Sequence, residues 1–266
     1  MALLEACGLS KRFGGLQAFS NIDLTLDEGE ILGLIGPNGS GKTTFFNAIT
    51  GLLPATGGKI LFEGGRHDLT RAPPHRITAL GIARTFQNQR CFNQMTVLEN
   101  VMVGMHCRTR SGLATIVLGT PGARAEQRRV RAEALELLGF FRDRLAPRAG
   151  QPALSLSYAN RRRLEIARAL ATRPRLLLLD EPAAGMNPSE THELMADIRR
   201  VQALGITILL IEHDMKLVRG ICTRVVALDH GSKIAEGTFE EVQSHPAVLE
   251  AYLGKRAAAH AEPRHA

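Results

Sequence analysis

The chain has 266 residues, 44% of them hydrophobic, with a formal net charge of +7, enough for one large domain, or one domain with a subdomain, around a sizeable core. This is the composition of an ordinary soluble globular protein: no run approaches the ~20 apolar residues that cross a bilayer, and "MALLEACGLSKRFGG" carries an acidic residue and no basic start, which makes a poor signal peptide. The four cysteines (Cys7, Cys91, Cys107, Cys222) are scattered, which indicates neither a zinc site nor a disulfide framework and fits a reducing cytosol.

In chain order, strand-like and helix-like segments alternate, the pattern of an α/β fold. "EILGLIGP" (30–37) reads as a short apolar strand ending in a turn, and "GKTTFFNAITGL" (41–52) as the helix that follows. "KILFEG" (59–64) and "GIARTF" (81–86) are further strand candidates. From Thr96 to about Gly150 strand signals vanish. There "VLENVMVGM" and "RAEQRRVRAEALELLGFF" read as helices, the second with Val130, Ala134, Leu137, Leu138 and Phe141 on one face. "RLLLLD" (175–180) and "ITILLIE" (206–212) then read as fully buried parallel strands. They bracket a helix with Leu194, Ile198, Val201 and Leu204 at helical spacing. A helical insert in an α/β core is expected. The tail "KRAAAHAEPRHA" is low-complexity and expected to be disordered.

Arginines crowd positions 108–148. Such charge suits nucleic acid, an anionic membrane surface or a solvated face. The arginines at 124–131 fall on the polar side of the helical pattern, which favours the solvated face.

"GPNGSGKT", from Gly36 through Pro37, Asn38, Gly39, Ser40, Gly41 and Lys42 to Thr43, fits G-x-x-x-x-G-K-[ST] between a strand and a helix. Glycines let successive backbone N–H groups face a phosphate, and the helix N-terminus adds its positive end. Lys42 would reach the β- and γ-phosphates of ATP, and the Thr43 hydroxyl would ligate Mg2+. Thr44 follows directly in the helix. "LLLLDEP" supplies the carboxylates: Asp180 to hold Mg2+ through water and Glu181 to polarise the attacking water.

These pieces, in this order, resemble the ATP-binding cassette of ABC transporters over nearly the whole chain. The resemblance implies an α/β phosphate-loop NTPase fold with a mixed-sheet core, an N-terminal antiparallel β subdomain and an inserted α-helical subdomain. One domain would span 1–254, with 1–95 and 173–254 as ATPase core and 96–172 as the helical part. Phe13, in "SKRFGG", sits where the family stacks an aromatic ring on adenine; by itself it reads as a core phenylalanine. Gln87, in "ARTFQNQ", matches the glutamine that touches Mg2+ and water. His213, in "LLIEHDM", matches the histidine at the γ-phosphate, and "AAGMNP" has Asn187 where aspartate is usual. Two cassettes would stack head to tail, as a homo- or heterodimer. "LSYAN" (156–160) is then the signature peptide offered to the partner's ATP, with Ala159 and Asn160 in place of the usual glycine and glutamine. Ser157 would cap the next helix and donate to the γ-phosphate. Ala159 would be the second helical residue, at negative φ, where glycine has no advantage.

"RRRLEIARAL", "LLLLDEPAAGMNP", "IEHDMKLV" and "VLEAYLG" are similar to the ATP-binding subunits of branched-chain amino-acid importers, and Arg108 to Gly122 to an extra helical stretch of that type. This implies two integral membrane permease subunits, a second ATP-binding subunit, an indirectly coupled periplasmic solute-binding protein, and a peripheral place on the cytoplasmic face of the inner membrane. Urea, short-amide and lipopolysaccharide systems are alternatives. A soluble ATPase acting on nucleic acid or ribosomes is another, although the chain has one cassette and no sustained heptads, so no nucleic acid is expected. The departures in LSYAN also leave open a purely regulatory nucleotide binder.

Overall fold

The computed structural model describes residues 1–87, 90–109, 111–112, 115 and 118–253. The tail expected to be disordered, 255–266, lies outside the described residues. In chain order, β1 (Ala2–Phe13) and β2 (Leu16–Asp27) precede β3 (Ile31–Ile35) and α1 (Lys42–Ile49). β4 (Gly57–Phe62), β5 (His67–Asp68), α2 (Pro74–Ala79) and β6 (Ile82–Arg84) follow. α3 (Val97–Gly104), α4 (Pro121–Phe140) and α5 (Tyr158–Leu170) lead to β7 (Leu176–Asp180), α6 (Pro188–Ala203) and β8 (Thr207–Ile211). α7 (Met215–Ile221), β9 (Arg224–Asp229), β10 (Ser232–Gly237), α8 (Phe239–Ser244) and α9 (Pro246–Leu253) complete the described chain.

Two sheets result. One has the order β2-β1-β4-β5 with antiparallel pairs. It is the N-terminal antiparallel β subdomain that the resemblance implies; the segment reading names no strand before residue 30, yet Ile22, Leu24 and Leu26 bury every second residue of β2, the period of a half-buried strand. The other sheet has the order β10-β9-β3-β8-β7-β6, parallel from β9 to β6 with β10 antiparallel at the edge. It is the mixed sheet expected.

The continuous leucine run of β7 is explained by burial on both faces. Leu177 and Leu179 pack in one cluster with α3, α4 and α5 residues such as Val101, Leu138 and Leu164. Leu176 and Leu178 pack in another with Phe45, Phe46 and the antiparallel sheet. On α4 the expected stripe holds: Val130, Ala134, Leu138 and Phe141 are buried, and Leu137 packs against them. On α6, Leu194, Ile198 and Val201 are buried, but Leu204 is 61% exposed because the helix has ended and Leu204 is its C-cap. Of the helical stretch expected over Arg108–Gly122, Arg108 closes a 3-10 turn, Thr115 is helical, and a long helix capped by Thr120 starts at Pro121. Residues 110, 113, 114, 116 and 117 of that stretch lie outside the described residues.

All four cysteines are free thiols. Cys7 and Cys107 are exposed. Burial pushes the Cys91 thiol up to about 11, with Glu165 adding to the rise, and Cys222 up to about 12, with Glu212 adding. Because the thiolate is the nucleophile, a thiol reagent at pH 8 is expected to label Cys7 and Cys107 and to spare Cys91 and Cys222. Peptide mass spectrometry of the labelled native chain checks this; equal labelling of all four contradicts the burial.

Candidate nucleotide site

Three parallel strands deliver the expected residues to one sheet edge. Register sets Leu34 of β3 beside Ile211 of β8, and Asp180 of β7 beside the same Ile211. The loops leaving these C-terminal ends are therefore neighbours, which is where open α/β sheets bind ligands. A cleft of about 530 Å3 opens there, and its walls include Phe13, Asn38, Gly39, Gly41, Lys42, Thr43, Thr44, Gln87 and Glu181.

The phosphate loop is a conformation that only glycine fits at two points. Gly36 has φ +145°, and an added Cβ would lie 2.1 Å from the Leu228 carbonyl oxygen; Gly41, the N-cap of α1, has φ +102°. Ser40 is buried beneath the loop, and Pro37 precedes the exposed Asn38 and Gly39. The Lys42 ammonium donates to the carbonyls of Gly36 (2.7 Å) and Pro37 (2.9 Å) and to Ser40 Oγ (3.3 Å). Burial draws Lys42 below the ordinary lysine range, while Glu181 and Asp180 pull it back up. Phe13 is no core residue: it is 44% exposed on the cleft wall, with Lys11 Nζ 4.9 Å from its ring centre.

Gln87 and Glu181 meet across the cleft, Gln87 Nε2 donating to Glu181 Oε2 at 3.0 Å. Glu181 has φ +46°, a left-handed backbone that costs a non-glycine residue about 1–3 kcal/mol and persists only where the surroundings fix it. Its N–H donates to the Ile211 carbonyl at 2.9 Å. His213 is exposed at the end of β8, with Nδ1 3.9 Å from Glu181 Oε2 and 3.6 Å from Glu212 Oε2. Asp180 lies buried behind the cleft, in an ion pair with Arg84 of 2.7 Å.

The signature residues stand on α5, and none of them lines this cleft. Ser157 is the N-cap, its Oγ accepting from the Asn160 N–H at 3.3 Å. Ala159 is the second helical residue and is 2% exposed, so its methyl packs inside its own chain. Asn160 is buried and its Oδ1 accepts from Arg163 at 3.3 Å. Ala159→Gly is expected to destabilise the chain by about 1 kcal/mol through helix propensity and to leave ATP turnover unchanged; denaturant unfolding and phosphate release together check it. Asn187, the other departure, caps α6 with a complete capping box to Glu190, a task Asn and Asp perform equally.

Sequence reasoning missed several buried charges, three of them at the site. Arg84 ends the short β6 strand. Its Nη1 donates to Asn47 Oδ1 (2.7 Å) and its Nη2 to Asp180. Arg162 belongs to an arginine trio that reads as surface, yet it is fully buried. Glu212, one residue past an apolar strand, accepts from the N–H groups of Ala183 (2.9 Å), His213 (2.8 Å) and Asp214 (3.1 Å), tying the loop after β7 to the loop after β8. Each signal was an ionisable residue inside or abutting an apolar pattern.

A phosphate loop on a parallel sheet edge, facing an Asp–Glu pair at the end of the neighbouring-but-one strand, defines a nucleoside-triphosphate-hydrolysing core. The sequence model described as "ABC transporter" matches residues 19–184, and that described as "Branched-chain amino acid ATP-binding cassette transporter" matches 232–258. The chain is 47% identical over 258 residues to the "High-affinity branched-chain amino acid transport ATP-binding protein LivG" of Salmonella typhimurium, covering 95% of this chain and 98% of that one. It is 43% identical over 256 residues to the corresponding BraF protein of Pseudomonas aeruginosa, with the same coverage. Among solved structures, a nucleotide-free ATP-binding cassette from an ABC transporter superposes with a TM-score of 0.83 at 33% identity, covering 96% of this chain and all of that one. A cassette in its ADP conformation gives 0.82 at 34% identity over equal shares. The chain belongs to the ABC transporter family of ATP-binding cassettes.

Proposed function

We infer that this chain is the ATP-hydrolysing subunit of an importer for branched-chain amino acids. The observation that carries the reading is the full-length similarity to LivG and BraF proteins, joined to a C-terminal match specific to that transporter type. The partners are two membrane permease subunits and a second cassette, with a periplasmic binding protein reached through the permeases. No helix among the described residues is long and apolar enough to cross a membrane, so attachment runs through those partners, at the cytoplasmic face.

The residues divide the work. The phosphate loop and Lys42 bind the triphosphate, and Phe13 takes the base. Thr43, Gln87 and Asp180 would hold Mg2+. They are a small set of oxygen donors, which suits a hard cation that also takes phosphate and water, and the ion would neutralise charge on the phosphates. Arg84 engages Oδ2 of Asp180 and fixes the carboxylate's orientation. Gln87 and Glu181, hydrogen-bonded to each other, together face the attacking water, Glu181 polarising it, and His213 attends the γ-phosphate. Ser157 serves the partner cassette's nucleotide. The inward turn of the Ala159 methyl supports LSYAN as a working signature, because a residue so buried presents almost nothing to the partner's phosphate.

Uptake of labelled leucine tests the reading, in cells lacking other leucine importers and supplied with the native chain or Glu181→Gln. Strong uptake lost in the variant is expected. Equal, poor uptake in both, together with uptake of urea or a short amide by the native chain alone, overturns the solute assignment.

A further inference from the structure

Arg162 is a fully buried charge near the site, with a side chain 0% exposed. Its Nη1 donates to the Phe86 carbonyl at 2.6 Å and to Glu165 Oε2 at 3.0 Å. Its Nη2 donates to the carbonyls of Gln87 at 3.1 Å and Glu181 at 3.2 Å. Its Nε, also buried, has no hydrogen-bond partner among the described residues. Stability alone does not account for such a residue. An apolar side chain of similar volume is often neutral or stabilising where a buried ion pair stood, and an unpaired buried donor adds a further cost.

What the guanidinium does is geometric. The side chains of Gln87 and Glu181 meet in the cleft at 3.0 Å, and Arg162 grips the backbone carbonyls of the same two residues from behind. Glu181 stands in its left-handed conformation between two fixed points, its N–H on Ile211 and its carbonyl on Arg162. Arg162 is also the fifth residue beyond Ser157 on one unbroken helix, α5. A shift of that helix therefore moves the cap serine and the guanidinium together.

We propose that Arg162 is a positioning residue that couples, within one chain, the placement of the signature helix to the alignment of Gln87 and Glu181. The proposal rests on the reading of those two residues as the water-holding pair. Engagement of the signature peptide by a partner would thus be felt at the chain's own water-activating groups, through one planar fork that spans three carbonyls.

The test uses the full-length chain assembled with its permease and second ATPase subunits, measuring kcat, the KM for ATP and the thermal midpoint. Arg162→Lys keeps a cation for Glu165 but replaces the fork with a point charge. It is expected to lower kcat by about 10–100-fold, the scale set by misplacing reacting groups by an ångström, with the KM for ATP within about twofold of native. The paired variant R162M/E165Q leaves neither buried charge, so it folds where a lone Arg162→Met would strand Glu165; the same loss of kcat at unchanged KM is expected. Glu165→Gln alone, which leaves the carbonyl contacts, is expected to keep native kcat whatever its midpoint. Native kcat in R162K or in R162M/E165Q overturns the proposal, and so does a loss in Glu165→Gln that matches theirs. Glu181→Gln in the same assembly separates the two readings: native turnover there removes the water-holding pair itself, whereas a dead Glu181→Gln beside an active R162K removes only the role of Arg162.

Discussion

Glu181→Gln is expected to bind ATP at least as tightly as the native chain and to hydrolyse it about 10²–10⁴-fold more slowly, the range general-base assistance supplies. The substitution is isosteric, and the contacts that fix the residue are made by its backbone: the N–H to Ile211 and the carbonyl to Arg162. The amide can also still accept from Gln87 Nε2, so the left-handed conformation and the fold persist. What is lost is a negative charge and a basic oxygen beside Gln87 on the cleft wall. Removing that charge relieves its repulsion of the triphosphate, which is why affinity does not fall. The phosphate loop, Lys42 and Phe13 are untouched. Equilibrium binding of ATP together with single-turnover phosphate release measures both halves; near-native turnover removes Glu181 from its role.

Arg84→Met is expected to destabilise the chain by about 3–5 kcal/mol, the cost of breaking a buried ion pair from one side. Asp180 is 2% exposed in side chain and Arg84 5%, at 2.7 Å, so the carboxylate would lose its hydrogen-bonded counter-ion and keep only the through-space field of Lys42. Arg84 also donates to Asn47 and to Thr50 Oγ1 on the helix side, and its guanidinium lies over the rings of Phe46 and Phe86. Loss of the cation therefore loosens α1, which carries the phosphate loop, as well as Asp180. The double variant R84M/D180N removes both charges and is expected to recover most of the stability while remaining inactive, because the carboxylate that would serve the metal is gone. Urea unfolding of the two variants, read beside ATP turnover, distinguishes the effects. A loss below about 1 kcal/mol in Arg84→Met, the size of an exposed pair, contradicts the buried pairing.

Much of this protein could be read from its sequence because its signals are local. The phosphate loop is a contiguous stretch whose glycines are dictated by backbone geometry, and Gly36 and Gly41 take the conformations that only glycine accepts freely. The leucine run of β7 and the apolar run of β8 could only be strands covered on both faces, and the Asp–Glu pair that follows had to leave the sheet at the same edge as the loop. Ser157 as a cap and Ala159 as a helical residue came with the resemblance of LSYAN to a signature peptide, and cap and helix propensities agree with it. Tertiary structure decided what depends on partners far along the chain. Phe13 is an exposed cleft residue because the antiparallel sheet sets the end of β1 beside the phosphate loop; by itself it reads as core, and only the resemblance placed it here. Leu204 shares the spacing of its helix yet faces water, because a helix ends where its cap is formed and not where its apolar period stops. Arg84, Arg162 and Glu212 lie in or beside apolar patterns in the sequence, but nothing there says which partners make their burial tolerable. A buried charge is tolerable only with its partners in place, and those partners lie on other elements: Asp180 for Arg84, the carbonyls of Gln87 and Glu181 for Arg162, and the N–H of Ala183 for Glu212. The residues that would do the chemistry are written in short motifs. Those that hold them in place are defined only once distant segments meet, because pairing a charge away from water is a property of three-dimensional neighbours.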